Sequence, residues 1–365
     1  MTHRPPAVTI LTSGIGLGVY IPALLIQSQL RALGLAADVE VLEGYYTPAR
    51  RASHLAHKAA YHADFDLAKM SNRMARDVQD SFDGDRIEVL IQRWKDEGRN
   101  RFIVWSGFWL PLIERYRQSA GVGRLHVDHC RIDAEISASF RIYPDLASAG
   151  REIWLWNWNE RRIVHEIPVS LDLPIPFRDR EDRLVVHGGG WGIGSYQSAA
   201  GELEQTAYAL DRVIHDPNEW HPSRRDDRSF RVDPAWHPWM RGPGGSHEFP
   251  PMVELAWAGN ADFHPFYNVI RRSKAIVSKP GGCTLIDSLS SATPVVLLEP
   301  YGSAERCNGR IWEHLGFGIS YAAWRTTGYD LSVLEQLHSN IMARTRTSID
   351  YPRACAAELL QESTA

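Results

Sequence analysis

The sequence predicts an α/β protein built from two Rossmann-like domains, and three observations support that class. First, the chain has 365 residues, which is long for a single hydrophobic core. Second, a β-branched stretch at residues 7–12 runs into a glycine-rich loop and then into a helical pattern at residues 21–33. Third, the same order of strand, glycine loop and helix restarts at residues 184–210. Repetition of this unit is typical of parallel α/β sheets.

The domain boundary is predicted in a polar, proline-rich connection at residues 171–183. This assignment gives a first domain at residues 1–170 and a second domain at residues 182–345. Within the second domain, residues 215–251 combine three tryptophans with many arginines, prolines and glycines, so they are predicted to be an insertion or a long loop.

The composition is that of an ordinary globular protein, with 44% hydrophobic and 23% charged residues. A formal net charge of −4 gives no general attraction to nucleic acid or to an anionic membrane. No apolar run approaches the ~18 residues of a membrane span, and the first residues lack the apolar core of a signal peptide. The four cysteines are widely scattered, so we expect neither a disulfide framework nor a zinc knuckle, and a cytoplasmic location.

The most informative stretch is residues 275–298. It is predicted to form a buried strand, a tight glycine-rich turn, a helix from Thr284 to Ser291 and a second strand. Free amides in the turn and the positive end of the helix can bind a phosphate. Asp287 lies one helical turn after Thr284, so its carboxylate can accept both hydroxyls of a ribose. The stretch therefore suits a nucleotide, although a turn that merely links strand to helix remains an alternative.

Two further glycine-rich loops follow predicted strands. In the loop at residues 13–18, Gly14, Gly16 and Gly18 resemble part of a dinucleotide fingerprint, but Val19 occupies the position of its last glycine. NAD binding is therefore kept as an alternative. The second loop, at residues 188–194, has five glycines in seven residues, which lets its backbone approach a ligand closely.

Several of these motifs together resemble those of the GT-B glycosyltransferases, in particular the branch that contains the lipid-linked GlcNAc transferase and the galactolipid synthases. The matching residues are Ser278-Lys-Pro-Gly-Gly-Cys-Thr284, Asp287, Thr293-Pro294, Pro300 and Glu305-Arg-Cys-Asn308. The resemblance implies two Rossmann-like domains facing a central cleft, with the nucleotide sugar on the second domain. It also implies that residues 346–365 form a helix that can return to the first domain.

By this resemblance, Asp287 holds the ribose of UDP, whereas Glu305 and Asn308 hold the sugar. The complete set of predicted donor-binding residues is Gly188, Gly189, Gly190, His264, Phe266, Lys279, Gly281, Gly282, Cys283, Thr284, Asp287, Glu305 and Asn308. The predicted acceptor-side loop consists of Gly16, Gly18, Val19 and Tyr20. No metal site is predicted, and no cofactor other than the nucleotide-sugar co-substrate.

The sequence departs from the family at the position of the general base. Many inverting members carry a histidine three residues before the proline that corresponds to Pro22, and this chain has Val19 there. Asp128 and His129, at the end of a strand predicted at residues 125–129, are candidates for the missing base, or they satisfy backbone groups. Otherwise the acceptor is already a good nucleophile, such as a ring nitrogen, an amine, an activated carbon or an acidic phenol, or catalysis has been lost.

Residues 48–79 are predicted to form one or two basic helices. Their cationic or titratable side chains include Arg50, Arg51, His54, His57, Lys58 and His62. These groups either face an anionic acceptor or membrane headgroups, or form a solvated helical face.

The predicted function is transfer of a sugar, with inversion, from a UDP-sugar to a small-molecule acceptor that is held mainly by the first domain. Two alternatives of other classes stay open. One is a catalytically silent subunit that binds nucleotide sugars, and the other is a sugar-nucleotide epimerase of the same shape.

Overall fold

The computed structural model describes residues 7–72, 76–120, 125–220, 226–255 and 262–364. These residues form two large parallel β-sheets, one in each half of the chain, with helices between the strands, and two small two-stranded sheets. The predicted α/β fold with a parallel sheet in each half is confirmed.

The first sheet has five strands in the order β2-β1-β3-β4-β5, and every neighbouring pair is parallel. In chain order the strands are β1 (Ala7–Thr12), β2 (Ala36–Val41), β3 (Arg101–Val104), β4 (His126–Arg131) and β5 (Arg151–Trp154). Alternate residues of β1 face opposite sides of this sheet, as the pleat of a strand requires. Ile10 therefore packs into the core beneath the first helix, whereas Leu11 packs into the core on the other face with Trp94.

The described residues of this half form the α-helices α1 (Tyr20–Ala32), α2 (Pro48–Ala63), α3 (Phe65–Asn72), α4 (Gly84–Glu97), α5 (Leu110–Ala120), α6 (Ala138–Arg141) and α7 (Pro144–Ala147). The start of α2 follows from its local sequence. The Thr47 side chain accepts a hydrogen bond from the Arg50 amide, and Pro48 occupies the first turn, where no amide is needed. Helices α2 and α3 lie in the basic stretch that was predicted to form one or two helices, and they pack against each other as a hairpin.

Three short strands follow: β6 (Trp156–Asn157), β7 (Arg162–Ile163) and β8 (His165–Glu166). Strands β6 and β7 pair antiparallel. The predicted polar connection then leads into the second half.

The second sheet has six parallel strands in the order β11-β10-β9-β12-β13-β14. Its strands are β9 (Glu181–Val186), β10 (Ala209–Val213), β11 (Arg228–Phe230), β12 (Ser273–Ser278), β13 (Val295–Leu297) and β14 (Gly318–Ser320). Its helices are α8 (Tyr196–Leu203), α9 (Tyr267–Ile270), α10 (Gly282–Ser291), α11 (Ser303–His314), α12 (Tyr321–Thr326) and α13 (Leu331–Ala343).

Two sequence predictions for this half are wrong in detail. The helix that begins at Tyr196 ends at Leu203 rather than at residue 210, because residues 209–213 form β10. The predicted insertion at residues 215–251 is not entirely irregular, because its described part contributes the edge strand β11. Pairing with the rest of the sheet and burial of Phe230 stabilise this strand despite its polar sequence context.

The chain ends with β15 (Ile349–Asp350), which pairs with β8, and α14 (Tyr351–Thr364). Helix α14 packs against α1 of the first half. The side chain of Glu358 on α14 also bonds Arg151 on β5 at 2.7 Å. The last helix therefore returns to the first half of the chain, where it contacts α1 and β5.

Candidate active site

A cavity of about 390 Å³ lies between the two halves, beyond the carboxyl ends of the strands. Its walls include the loops that follow β1, β9 and β12. In each sheet these strands flank the point where the strand order reverses, which is where ligands of open α/β sheets collect. The size lies within the range of small-molecule sites.

The two halves touch directly at two glycines that line the cavity. A Cβ atom on Gly190 would lie 2.7 Å from the carbonyl oxygen of Gly16, and one on Gly282 would lie 2.3 Å from Cγ1 of Ile132. Both distances are too short for any side chain. Glycine at these positions therefore lets the loops of one half approach the backbone of the other.

The hairpin of α2 and α3 also reaches across to the second half. Nδ1 of His62 lies 2.8 Å from the carbonyl oxygen of Gly192, and its Nε2 bonds the carboxylate of Glu219. Further along, Lys69 pairs with Glu299 at 2.9 Å. The basic hairpin therefore packs over the glycine loop of the second half, with part of its face in contact with protein.

Lys279 lies where the two glycine turns of the second half converge. Its Nζ would be 3.6 Å from a Cβ on Gly189 and 3.7 Å from one on Gly281. The same Nζ donates to Oε1 of Glu305 at 2.6 Å. An ammonium beside two open turns and the start of α10 is a suitable site for a diphosphate.

His187 follows β9 directly and lines the same cavity. The Gly189 amide donates to its Nδ1 at 3.1 Å, so the ring proton resides on Nε2. Burial, reinforced by the charge of Lys279, lowers the pKa of His187 to about 3. The imidazole is therefore neutral at physiological pH and can donate one hydrogen bond to an anionic ligand.

Asp287 lines the cavity one turn into α10, and its side chain is almost fully buried. Nε2 of His264 lies 2.9 Å from its Oδ1. In the described part of the molecule, no hydrogen bond to Oδ2 is seen. His264 thus fixes the carboxylate in place while one oxygen can still accept ligand hydroxyls.

Glu305 lines the cavity, but Asn308, one turn further along α11, does not. Asn308 is fully buried, and its Nδ2 donates to Asp133 Oδ1 at 2.8 Å and to the carbonyl oxygen of Pro280 at 3.0 Å. Its Oδ1 accepts from the Ala134 amide at 2.9 Å. These bonds occupy both the oxygen and the nitrogen of its amide. Asn308 therefore connects the loop after β4 to the turn before α10.

Asp133, which accepts a hydrogen bond from Asn308, lines the cavity. Burial raises the pKa of Asp133 to about 6, and the nearby charge of Glu305 acts in the same direction. Asp133 was not among the predicted site residues. Its signal in the sequence is its position two residues beyond the end of β4, at the edge where ligands gather.

The other predicted donor-binding residues all line the cavity. On the acceptor side, Gly16, Gly18 and Val19 line it as well, so valine stands at the cavity where many family members have histidine. Tyr20 does not belong to the lining. Its side chain is fully buried, and its hydroxyl donates to the carbonyl oxygen of Glu248 at 2.7 Å.

Asp128 and His129 do not reach the cavity. Strand β4 extends to Arg131, so both residues occupy the middle of the strand rather than its end. Arg151 makes two hydrogen bonds to the carboxylate of Asp128, at 2.9 and 2.8 Å, and the Tyr351 hydroxyl donates to it at 2.7 Å. Nδ1 of His129 lies 3.0 Å from the carbonyl oxygen of Ala147. The structure supports the alternative in which these groups satisfy internal partners.

We therefore expect Asp128→Asn to affect stability more than catalysis. The change weakens the bonds to Arg151 and Tyr351, which should lower the free energy of unfolding by about 1–3 kcal/mol. Turnover per folded molecule should stay within about threefold of the unchanged protein. Chemical denaturation and active-site titration measure the two quantities, and a loss of turnover of ~10²-fold without destabilisation would restore Asp128 as a base.

The fold and the cavity define a protein of the GT-B class in architecture, and comparison with solved structures confirms this fold. MurG from Acinetobacter baumannii superimposes with a TM-score of 0.56 at 11% identity, over 98% of this chain and 100% of that chain. CalG4, the calicheamicin glycosyltransferase, gives 0.53 at 14% identity, over 98% of each chain.

A UDP-glucosyltransferase from Polygonum tinctorium that glucosylates indoxyl, solved with 3,4-dichloroaniline, gives 0.53 at 11% identity over 99% of each chain. No protein-family model matches the sequence, and no curated protein sequence matches it. At such identities the likeness concerns the fold, so function must be argued from the site.

In the described part of the chain, no helix combines the length and apolar character needed to cross a membrane. Nor do three His, Cys, Asp or Glu side chains cluster as metal ligands among the residues that the structure describes.

Proposed function

We propose that this protein is a glycosyltransferase that moves a sugar from a nucleoside diphosphate donor to a small-molecule acceptor. The proposal depends on one observation: Lys279, the turn before α10, Asp287 and both glycine loops converge on a single interdomain cavity. They supply a cradle for a diphosphate and a carboxylate for a ribose. UDP is the proposed nucleotide, by the motif resemblance, and one of the similar structures is a UDP-glucosyltransferase.

The proposed reaction is a direct displacement with inversion. The acceptor atom attacks the anomeric carbon on the face opposite the diphosphate, and the bond between that carbon and the phosphate oxygen breaks. The electron pair leaves with the diphosphate, whose charge is stabilised by Lys279, the amides in the first turn of α10 and the positive end of that helix. Protein groups supply the positive charge in this scheme, so it requires no metal ion.

Nucleotide release tests the proposal. The rise in melting temperature on ligand binding should first identify the nucleotide, by comparison of UDP with dTDP. The same measurement with a set of UDP-sugars should then identify the donor sugar. Free UDP that forms only when an acceptor is present, with a glycosylated acceptor in the mass spectrum, is the expected result. A changed nucleotide sugar without acceptor would instead indicate an epimerase, and donor binding without any product would indicate a silent subunit.

We propose that Glu305 contacts the donor sugar rather than the nucleotide. Glu305→Ala should keep UDP affinity within about threefold but reduce discrimination between UDP-glucose and UDP-GlcNAc by at least ~10-fold, as expected when a hydrogen bond to a substrate hydroxyl is lost. Glu313→Ala, an exposed position on the same helix, is the matched control. Collapse of UDP binding in folded Glu305→Ala would contradict this role.

For Asn308→Ala the structure predicts a different result from that for Glu305. Removing the amide leaves the Ala134 amide and one oxygen of Asp133 without their partner, which should destabilise the protein by about 1–3 kcal/mol. Any change in sugar discrimination should follow from displacement of Asp133.

A further inference from the structure

Beside the active-site cavity lies a second space of about 220 Å³, which we call the aromatic chamber. Five residues line both spaces, so the chamber and the cavity adjoin: Leu17, Gly190, Trp191, His215 and Val232. Most of the remaining wall comes from α2 of the first half and residues 231–239 of the second, and Gly14 and Ile214 complete it. A cavity of about 150 Å³ holds benzene, so this chamber has room for one or two rings.

Aromatic side chains form much of the chamber wall. Trp239 stacks on His237, with ring centroids 4.8 Å apart and planes 20° apart. Trp191 meets the ring of His54 edge-on at 5.1 Å, and Trp236 meets Tyr20 at 5.7 Å. All three indoles are only half-buried, so part of each remains available to a ligand. Such walls favour a flat aromatic molecule.

The chamber also contains a cation without a counterion. Lys58 of α2 is half-buried in its wall, and within the described residues it has no hydrogen bond or ion pair. Lys58 and Arg231 contribute two positive charges to the lining, whereas Asp233 contributes one negative charge. Nε of Arg231 is buried, and it has no hydrogen-bond partner among the residues that the structure describes. The carboxylate of Glu219 already has two partners, because it is bound by His62 and accepts a hydrogen bond from the His215 amide.

The histidines of the chamber do not change this balance. Burial lowers the pKa of His54 and of His215 to about 4, and neighbouring charges that include Lys58 act in the same direction. The pKa of His237 is lowered for the same two reasons. All three are neutral at pH 7. Burial also lowers the pKa of Lys58, so a ligand anion beside it would stabilise its charged form.

We propose that the aromatic chamber is the acceptor site and that it binds a one- or two-ring phenol as its phenolate, held beside the ammonium of Lys58. This assignment builds on the glycosyltransferase function proposed above. It accounts for Val19 at the position of the missing base, because an acceptor that binds as an anion needs no proton acceptor at the moment of attack.

The proposed step is balanced without any further reactant. The phenol loses its proton to solvent when it binds. The phenolate oxygen then forms a bond to the anomeric carbon, and the bond from that carbon to the diphosphate breaks. The electron pair leaves with UDP. Lys58 remains protonated throughout and acts by stabilising the phenolate.

A binding experiment without any donor tests the chamber directly. The probe is 7-hydroxycoumarin, a two-ring phenol whose anion absorbs at a different wavelength from the neutral form. When 7-hydroxycoumarin is bound to the wild-type protein, the pKa of its phenol should be at least one unit lower than in water, as expected beside an opposite charge. Lys58→Met should abolish this shift, whereas Lys58→Arg should retain it. Lys95→Met, at a lysine on α4 outside the chamber, should leave it unchanged.

Turnover supplies the second readout. With 7-hydroxycoumarin as acceptor, Lys58→Met should lower kcat/KM by at least ~10-fold while UDP affinity is unchanged. The unchanged protein should transfer to 7-(hydroxymethyl)coumarin, a similar ring with a non-acidic hydroxyl, at least ~10²-fold more slowly. Equal transfer to both acceptors would overturn the proposal. So would a spectral shift that does not depend on Lys58.

The binding result separates this inference from the function on which it depends. A shift that requires Lys58, without UDP release from any donor, supports the phenolate site and contradicts sugar transfer. UDP release with other acceptors, without any binding of 7-hydroxycoumarin, supports transfer and overturns the phenolate site.

Discussion

Lys279→Ala is expected to lower the rate of sugar transfer by about 10²–10³-fold, the largest effect that we predict. Removal of one preorganised group that stabilises developing charge typically costs this much in turnover. Lys279 is the cation at which the turns containing Gly189 and Gly281 converge, so the diphosphate should depend on it as a leaving group. Single-turnover kinetics with saturating donor measures the effect.

A ligand series locates the cause of that loss. Lys279→Ala should weaken UDP binding by about 1.5–3 kcal/mol, or roughly 10- to 150-fold, and should leave uridine binding unchanged, because uridine has no phosphate. Lys279→Arg should recover most of the UDP affinity. Because Glu305 loses its cationic partner in this variant, the double variant with Glu305→Ala separates repulsion by that carboxylate from loss of the cation. Equal weakening of UDP and uridine would argue against a phosphate role.

Asp287→Ala should give the complementary pattern. This carboxylate is held by His264 and can accept the ribose hydroxyls, so its loss should weaken both uridine and UDP by about 1.5–3 kcal/mol. Isothermal titration of the two ligands provides the measurement. Asp182→Ala, at an exposed carboxylate of β9, is the control. Unchanged uridine affinity in a folded Asp287→Ala variant would refute the ribose assignment.

The two variants together make a stricter test than either alone. Lys279 is predicted to distinguish UDP from uridine, whereas Asp287 is predicted to affect both equally. If both residues merely supported the fold of the second half, the two variants would show the same pattern of losses. Thermal denaturation of each variant checks that the comparison concerns folded protein.

The sequence by itself determined the α/β class and the position of the nucleotide-type motif. The reason is that these features are local. The predicted order of strand, glycine turn and helix is found as β12, the turn and α10, although β12 begins two residues before the predicted stretch. Helical spacing alone places Thr284 and Asp287 on one face. Apart from Asn308, the residues predicted to bind the donor line one cavity, because most of them belong to loops at the carboxyl ends of parallel strands.

The end of β4 was decided by tertiary structure, and a shift of two residues there changed which acidic side chain faces the cavity. The predicted strand ended at residue 129, whereas β4 continues to Arg131 through pairing with β3 and β5. Asp128 therefore meets Tyr351, 223 positions away in the sequence, and Asp133 reaches the cavity instead. Local pattern cannot locate such a boundary, because backbone pairing between distant strands sets it.

Tertiary structure also decided which side chains from the two halves meet. The basic pattern of α2 is more often that of a solvated helical face, and only packing placed Lys58 in one chamber with Trp191, Trp236 and Trp239. Asn308 likewise became a connection between the two halves because its partners lie far from it in the chain. Hydrophobic burial favours contact between two apolar surfaces, but it is not directional and does not specify which polar groups meet. The pairing of polar groups across the cleft therefore follows from the docked geometry, which no local sequence pattern contains.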